Sequence, residues 1–156
     1  MSIYVFVYGA LVNLKTIKEI EGPKKICPVM VKGLKRSLNV NGKKHLVFGV
    51  KNVKTSNCNG ILFKVNETEL ARLQQREKLY TIKTLAKERI IFAYGKCLSL
   101  KPADQIICFY PQVSYVLTKK QLLYVPTTAS ESTYVRNCKA GARAIGDTFF
   151  QDFQYE

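Results

Sequence analysis

The chain has 156 residues, a mass of 17.7 kDa and a formal net charge of +14 at pH 7. Its hydrophobic fraction of 47% and charged fraction of 23% are typical of a globular protein and exclude an intrinsically disordered one. We expect a single domain over residues 1–156, since one hydrophobic core usually serves about 100–200 residues. The apolar start, residues 1–12, has no basic segment and is shorter than the roughly 20 residues that span a bilayer, so we expect no signal peptide and no membrane partner.

The cysteines are scattered without a CxxC pair, and His45 is the one histidine. These spacings predict neither a disulfide framework nor a structural metal site. We expect reduced thiols in the core of a cytoplasmic protein, and we expect His45 at the surface. The cysteines are Cys27, Cys58, Cys97, Cys108 and Cys138.

Positive charge is concentrated between Lys15 and Lys54, where the acidic residues are Glu19 and Glu21. A basic surface suits nucleic acid, anionic membrane or acidic small molecules. The basic residues are single or paired within strand-like sequence, and no RNA-recognition motif accompanies them. Solvated strand faces are therefore the favoured interpretation, with nucleic acid as an open alternative partner.

The first 65 residues predict mostly β-sheet. A continuous apolar run before Gly9 is typical of a strand that is covered on both faces. Asn41-Gly42 predicts a hairpin turn, and a polar segment at residues 54–57 predicts a loop. The four strands predicted here are Ile3–Tyr8, Pro28–Val40, Leu46–Val53 and Gly60–Val65.

A helix is predicted from Asn66, which forms a capping-box pattern with Glu69. Leu70 and Leu73 mark its inward face, and on a 3.6-residue helix Glu77 shares that face. One interpretation is that the helix frays and Glu77 lies in water or pairs with a lysine or arginine. The other is that Glu77 occupies a partly apolar cleft, where desolvation favours its neutral form and suits it to general acid/base catalysis.

Three strands are predicted next, over Tyr80–Leu85, Arg89–Tyr94 and Ile106–Tyr110, with breaks at Pro111 and Pro126. A second helix is predicted from about Ser130, capped by Ser130 or Ser132 and followed by Gly146. Its inward residues are Tyr134, Cys138 and Ala142. A short terminal helix after Asp147 is predicted to place Phe149, Phe150 and Phe153 on the core.

Six ordered segments resemble the γ-glutamylcyclotransferase-like family, which includes the AIG2-like proteins. They span nearly the whole chain, and their order and spacing make the combination specific. The resemblance implies an α+β fold: a small mixed, partly closed β-barrel-like sheet with a few packed helices and a cavity at one end. The segments are YGAL (8–11), VKGLKRSLN (31–39), NGILFKV (59–65), LQQREKLY (73–80), TYVRNCKAG (133–141) and FFQDF (149–153).

Proteins of this family release 5-oxoproline from γ-glutamyl compounds, without a metal or organic cofactor. The resemblance implies that Glu77 is the catalytic acid/base, since it matches the glutamate of the family motif. Backbone N–H groups after the first strand would bind a substrate carboxylate or the oxygen that gains charge. Two tyrosines would add hydroxyl groups to the cavity. The implied substrate-binding residues are Tyr8, Gly9, Ala10, Leu11, Tyr80 and Tyr110.

The chain departs from the family pattern at Ala10, Gln74 and Lys78. Family members commonly have Ser or Thr, Asp and Gly, respectively, at these positions. A lysine beside Glu77 would favour the ionised carboxylate if it folded toward it, although adjacent helical residues do not normally face each other.

Two hypotheses stand. The first is a γ-glutamylcyclotransferase-type enzyme acting on a small γ-glutamyl amine or peptide, which the presence of Glu77 favours. The second is a non-catalytic protein of the same fold that binds ligands through the cavity, or nucleic acid through the segment from Lys15 to Lys54. Ala10 and the net charge of +14 favour the second. The sequence carries no signal for an oligomeric state.

Overall fold

The computed structural model describes residues 1–22, 24–125 and 131–156. Six strands form one sheet in the spatial order β4-β6-β1-β3-β2-β5. Their bounds are Ile3–Val7 for β1, Ile26–Asn41 for β2, Leu46–Val65 for β3, Tyr80–Leu85 for β4, Ile90–Ile91 for β5 and Gln105–Pro111 for β6. The sheet curls into a half-barrel, so the expected α+β fold with a partly closed sheet is confirmed.

Strand β1 lies inside the sheet, antiparallel to β3 and parallel to β6. The remaining neighbours pair antiparallel. Val5 and Phe6 point to opposite faces of β1 and are both fully buried, as the continuous apolar run predicted. The end of this buried strand carries the chain directly into the cavity described below.

Strands β2 and β3 form a long hairpin with register shifts that act as β-bulges. These bulges bend and twist the strands, which contributes to the curl of the sheet. The sequence predicted two strands separated by a polar loop at residues 54–57, and this was wrong because β3 is continuous over Leu46–Val65. The polar segment adjoins one of the register shifts, opposite Gly33, which has a φ of 74°. Its side chains are mostly exposed to solvent, so they do not have to pack against a neighbouring strand.

The strand predicted at Arg89–Tyr94 is shorter in the structure. Lys87–Arg89 forms a turn of 3₁₀-helix, and only Ile90–Ile91 pairs with β2. The Arg89 guanidinium donates hydrogen bonds to the carbonyl oxygens of Lys32 and Gly33, so a side chain takes the place of further backbone pairing.

Five α-helices lie in the described residues: Leu14–Glu21 (α1), Glu67–Arg76 (α2), Lys119–Leu122 (α3), Thr133–Ile145 (α4) and Asp147–Asp152 (α5). The sequence did not predict α1 or α3. Helix α1 begins after Asn13, whose side chain accepts a hydrogen bond from the Lys15 N–H. No helix in the described part of the chain is long and apolar enough to cross a membrane.

Helix α2 begins as predicted. The Asn66 and Glu69 side chains each accept a hydrogen bond from the other's backbone N–H, at 2.8 and 3.0 Å. The helix ends at Arg76, and Glu77 is its C-terminal cap rather than a residue of its last turn. The Glu77 N–H still donates to the Leu73 carbonyl at 2.8 Å, and the chain then turns toward β4.

Helix α4 is capped by Ser132, whose side chain accepts from the Val135 N–H, and it ends at Gly146 as predicted. Cys138 and Ala142 are fully buried. The alternative cap at Ser130 and the break at Pro126 lie outside the described residues. Phe149 and Phe153, in and just after α5, join the core as expected, and Phe150 is partly buried against it.

Candidate functional site

A cavity of about 310 Å³ opens at the end of β1. It is bounded by the loop after β1, the start of β3, the connection from α2 to β4, and the first turn of α4. The structure brings six of the predicted site residues to this one cavity: Tyr8, Gly9, Ala10, Leu11, Glu77 and Tyr80.

The loop after β1 presents unused backbone donors. Ala10–Val12 forms one turn of 3₁₀-helix, in which the Val12 N–H donates to the Gly9 carbonyl. The N–H groups of Gly9, Ala10 and Leu11 have no acceptor among the described residues. Successive free N–H groups of this kind bind anionic oxygen.

Gly9 allows a close approach that another residue would prevent. A Cβ atom at this position would lie 2.9 Å from the hydroxyl oxygen of Tyr134 and 3.6 Å from the Cβ of Phe48. The absence of a side chain therefore lets a phenol from α4 reach the loop backbone.

The residue before the loop is fixed on two sides. The Tyr8 hydroxyl donates to the Phe109 carbonyl at 2.5 Å, and the Tyr8 carbonyl accepts from Nε of Arg36 at 3.0 Å. Arg36 is buried, and its guanidinium also donates to the Asn59 side chain and lies 3.8 Å from the centre of the Phe153 ring. Burial lowers the pKa of Arg36, and this positively charged group anchors the backbone that leads into the cavity.

Glu77 lies in the cavity wall with 19% of its side chain exposed. Burial raises the pKa of its carboxyl group, and the adjacent Arg76 guanidinium, 2.6 Å from Oε1, opposes that rise. The carboxyl group is thus held above its usual pKa range but keeps a cation beside it. Lys78 also lines the cavity, yet among the described ion pairs the partner of Glu77 is Arg76.

Two tyrosines attach to the backbone of one residue in β3. The Tyr80 hydroxyl donates to the Phe48 carbonyl at 2.6 Å, whereas the Phe48 N–H donates to the Tyr134 hydroxyl at 3.1 Å. Burial raises the pKa of both phenols, so both stay protonated near neutral pH.

Tyr110 does not line this cavity, although the family resemblance implied that it would. Its hydroxyl donates to the Asn52 side chain at 2.9 Å, and the Lys83 ammonium lies 4.8 Å from the centre of its ring. Phe109, the preceding residue of β6, lines the cavity instead. Since successive residues of a strand point to opposite faces, Tyr110 faces away.

The sequence interpretation missed three residues at the cavity: His45, Arg76 and Tyr134. His45 is exposed, as expected, but its ring lies 5.2 Å from that of Tyr134 at the cavity mouth. The sequence could have indicated Arg76, because it directly precedes the candidate glutamate Glu77. Tyr134 was interpreted as an inward residue of α4, and nothing in a helical pattern separates a core phenol from a cavity phenol.

Within the described ranges, no three His, Cys, Asp or Glu side chains form a group that suits a metal ion. All five cysteines are free thiols, and Cys27, Cys58, Cys108 and Cys138 are buried, as expected.

No protein-family model and no curated protein matches the chain. Solved structures do. One is a γ-glutamyl cyclotransferase, 13% identical, with a TM-score of 0.69 over 98% of this chain and 86% of the other. Another is an uncharacterized protein from Homo sapiens, 14% identical, with a TM-score of 0.66 over 97% of this chain and 86% of the other.

A third is a yeast γ-glutamyl cyclotransferase specific to glutathione, 9% identical, with a TM-score of 0.52 over 94% of this chain and 98% of the other. At such identities the likeness establishes the fold. The ordered sequence segments and the half-barrel sheet agree with these comparisons: the chain has the fold of the γ-glutamyl cyclotransferases.

Proposed function

We propose that this protein is a γ-glutamyl cyclotransferase-type enzyme that releases 5-oxoproline from a small γ-glutamyl amine or peptide. One observation carries the proposal. A largely buried carboxyl group with a raised pKa, Glu77, lines the same cavity as the unused N–H groups of Gly9, Ala10 and Leu11. A proton-transfer group beside anion-binding donors is what an acyl-transfer reaction requires.

In the proposed reaction, the α-amine nitrogen of the substrate attacks its own γ-carbonyl carbon. A carbon–nitrogen bond forms and closes a five-membered ring, and the bond from the γ-carbon to the departing amine breaks. Glu77 takes the proton that the attacking amine loses and returns it to the departing amine. No electrons are gained or lost overall, and the chain needs no further reactant.

The charges around the cavity suit an anionic substrate. Arg76 and Lys78 are both lining residues, and Glu77 is the acidic residue among them. Desolvation in the cavity wall keeps the carboxyl pKa nearer the working pH than that of an exposed glutamate. A group poised in this way exchanges protons in both directions, as the cyclisation demands.

The test is release of 5-oxoproline from a panel of γ-glutamyl dipeptides, γ-glutamyl amines and glutathione. We expect release by the wild type and a loss of about 10²–10⁴-fold in kcat for Glu77→Gln, which keeps the shape but cannot carry the proton. Glu67→Gln is the matched control, because Glu67 is an exposed residue in the first turn of α2 and does not line the cavity. A folded Glu77→Gln that retains wild-type kcat would remove Glu77 from the reaction.

A binding protein of the same fold is the alternative, and one observation favours it. Lys35 lies directly opposite Lys51 in the β2–β3 ladder, and like charges in that position destabilise a hairpin. Glu156 pairs with Lys35 at 2.8 Å and offsets only part of this charge. Under this alternative, the basic surface binds nucleic acid. Absence of 5-oxoproline release from the whole panel would favour this alternative.

We propose the cytoplasm as the location of the protein. Its five free thiols fit a reducing compartment. A non-reducing gel of the protein from its native cells would test this, since disulfide-linked species would contradict it.

A further inference from the structure

Two cysteines, Cys27 and Cys97, meet outside the cavity. Cys27 lies at the start of β2 and is 1% exposed, whereas Cys97 is half-buried in the connection between β5 and β6. Both are free thiols, and neither lines the cavity described above. The proposed cyclisation therefore uses neither of them.

The strand register directs the connection after β5 toward Cys27. Met30 pairs with Ile91, and β5 runs antiparallel to β2, so the chain that leaves β5 heads toward the start of β2. Cys27 points to the same sheet face as Val31, because alternate residues of a strand share a face. Ile90, the cross-strand partner of Val31, points to that face as well. The chain after β5 thus approaches the end of β2 that carries the Cys27 thiol.

Two groups of Cys97 contact the Cys27 sulfur. Burial raises the pKa of the Cys27 thiol to about 12, the Cys97 thiol adds to that rise by hydrogen bonding, and the Cys97 backbone N–H opposes it. The Cys97 thiol also donates to the Gly95 carbonyl at 3.5 Å, and its side chain packs against the hydrophobic core. The two sulfurs are therefore neighbours in a well-packed part of the molecule.

The connection that carries Cys97 has no regular secondary structure. The described residues 92–104 join β5 to β6 without a helix or a strand. Their backbone bonds are local, from the Gly95 N–H to the Phe92 carbonyl and from the Asp104 N–H to the Lys101 carbonyl. A disulfide requires a definite separation of its two Cα atoms, and an irregular segment reaches that separation by small backbone rotations.

We propose that Cys27 and Cys97 form a reversible intramolecular disulfide, with hydrogen peroxide as the oxidant. The Cys97 sulfur attacks one peroxide oxygen, the O–O bond breaks, and the thiol proton leaves with the departing hydroxide as water, which gives a sulfenic acid. The Cys27 sulfur then attacks the Cys97 sulfur. The S–S bond forms, the S–O bond breaks, and the Cys27 proton leaves with the hydroxyl group as a second water. The two thiols together lose two electrons, which the peroxide gains.

The order of the two steps follows from exposure and protonation. Peroxide reaches the half-buried Cys97 thiol, whereas the Cys27 thiol is 1% exposed and, with a pKa of about 12, is protonated near neutral pH. Cys27 therefore acts second, on a sulfur that already lies beside it. A reducing compartment returns the pair to thiols, so the resting protein agrees with the cytoplasmic location proposed above.

The first test uses the full chain and needs no substrate. Wild-type protein is treated with excess hydrogen peroxide at neutral pH, alkylated and digested, and its peptides are identified by mass spectrometry. We expect a cross-linked peptide pair that joins Cys27 to Cys97 and disappears after reduction with dithiothreitol. In Cys27→Ala the sulfenic acid on Cys97 has no partner thiol, so we expect dimedone to trap it.

The second test measures thermal stability with and without peroxide. A disulfide that closes a long loop constrains the unfolded chain, so we expect peroxide to raise the Tm of the wild type by roughly 5–15 °C. Cys97→Ser, a change at a half-buried position, should show no such rise. Cys58→Ala is the matched control, because Cys58 is a buried thiol of β3 that pairs with Val31, on the Cys27 face of the sheet. We expect it to form the cross-link as the wild type does.

Three results would overturn the inference. The first is peroxide-treated wild type in which Cys97 is oxidised to sulfinic acid without any Cys27–Cys97 peptide. The second is a cross-link that joins other cysteines instead, and the third is an equal rise in Tm in Cys97→Ser. None of these measurements depends on 5-oxoproline release, so the disulfide and the proposed function stand or fall separately.

Discussion

At the scale of single residues, the protonation of Glu77 depends on a balance between burial and one neighbour. Burial raises the pKa of its carboxyl group, and Arg76 lowers it. The proposed reaction begins with the ionised carboxylate, so the acidic limb of the pH profile of kcat/KM reports this pKa in the free enzyme.

We expect Arg76→Gln to shift that acidic limb to higher pH. Removing the cation removes the effect that opposes burial, so the pKa rises further and less carboxylate is present at a given acidic pH. Arg72→Gln is the control, because Arg72 is exposed on the same helix and pairs with Glu21 instead. The measurement is the pH profile of kcat/KM from pH 4 to 8. If its acidic limb were the same in Arg76→Gln as in the wild type, a group other than Glu77 would set that limb.

Arg36 is a buried cation whose partners are neutral. Its guanidinium bonds the Tyr8 carbonyl at 3.0 Å, the Gln154 carbonyl at 3.0 Å and the Asn59 side chain at 2.8 Å. A lysine keeps the charge but lacks the planar fork that reaches several acceptors. We expect Arg36→Lys to lower the free energy of unfolding by about 2–4 kcal/mol, measured by urea denaturation.

Arg136→Lys is the matched control for Arg36→Lys, because Arg136 is exposed on α4. Surface substitutions of this kind change the free energy of unfolding by no more than about 0.5 kcal/mol. Equal stability of the two variants would show that the carbonyl groups around Arg36 find other donors.

The sequence predicted part of the lining of the candidate cavity, and the reason is physical. Glu77 and the loop at 8–11 lie in short segments that a family motif can carry. Tyr134 and Tyr110 required knowledge of which face each side chain occupies, and this depends on helix packing and strand register. A phenol in an apolar pattern looks the same in a core as in a cavity wall.

At the scale of elements, helix α4 is seated directly against the loop that follows β1. Gly141 faces Asn13, and a Cβ added there would lie 2.5 Å from the Asn13 Cα. The Asn13 side chain also donates to the Asn137 carbonyl at 2.9 Å. Since the same helix carries Tyr134, this contact sets the distance between Tyr134 and the loop.

We therefore expect Gly141→Ala to affect both stability and activity. The backbone of Asn13 cannot move aside cheaply, so overpacking should lower the free energy of unfolding by about 1–3 kcal/mol. Displacement of α4 should also lower kcat in the proposed assay. Ala144→Ser, at an exposed position of α4, is the control. A stable Gly141→Ala with full kcat would show that the helix can shift without consequence.

Element boundaries were predictable where local chemistry sets them. The capping box at Asn66 and Glu69 marked the start of α2, and Gly146 marked the end of α4. The end of α2 at Arg76 has no glycine or proline signal, because the turn into β4 is imposed by tertiary packing. The continuity of β3 through polar residues was missed for the same kind of reason, since exposed strand and loop share a composition.

At the scale of the whole molecule, the net charge of +14 predicts weak attraction to any polyanion. We expect binding to duplex DNA to be measurable at roughly 50 mM salt and to fall steeply by about 200 mM, as nonspecific phosphate contacts do. Fluorescence anisotropy over this range checks the expectation. Binding that persists at the higher salt and weakens in Lys51→Gln would favour the nucleic-acid alternative.

The overall fold was predictable because six ordered segments together carry the family pattern. The strand order was not, because the β1–β6 pair joins segments that are far apart in the chain. Hydrophobic patterns identify strands, but they do not identify partners across such a distance.

The central position of β1 has a consequence for synthesis. Tyr8, directly after β1, and Phe109, within β6, are separated by 101 residues. At about 5–20 residues per second, a ribosome needs roughly 5–20 s to make that stretch. One edge of a strongly apolar strand stays unpaired for this time, so the nascent chain depends on chaperones or on slow, late closure of the sheet.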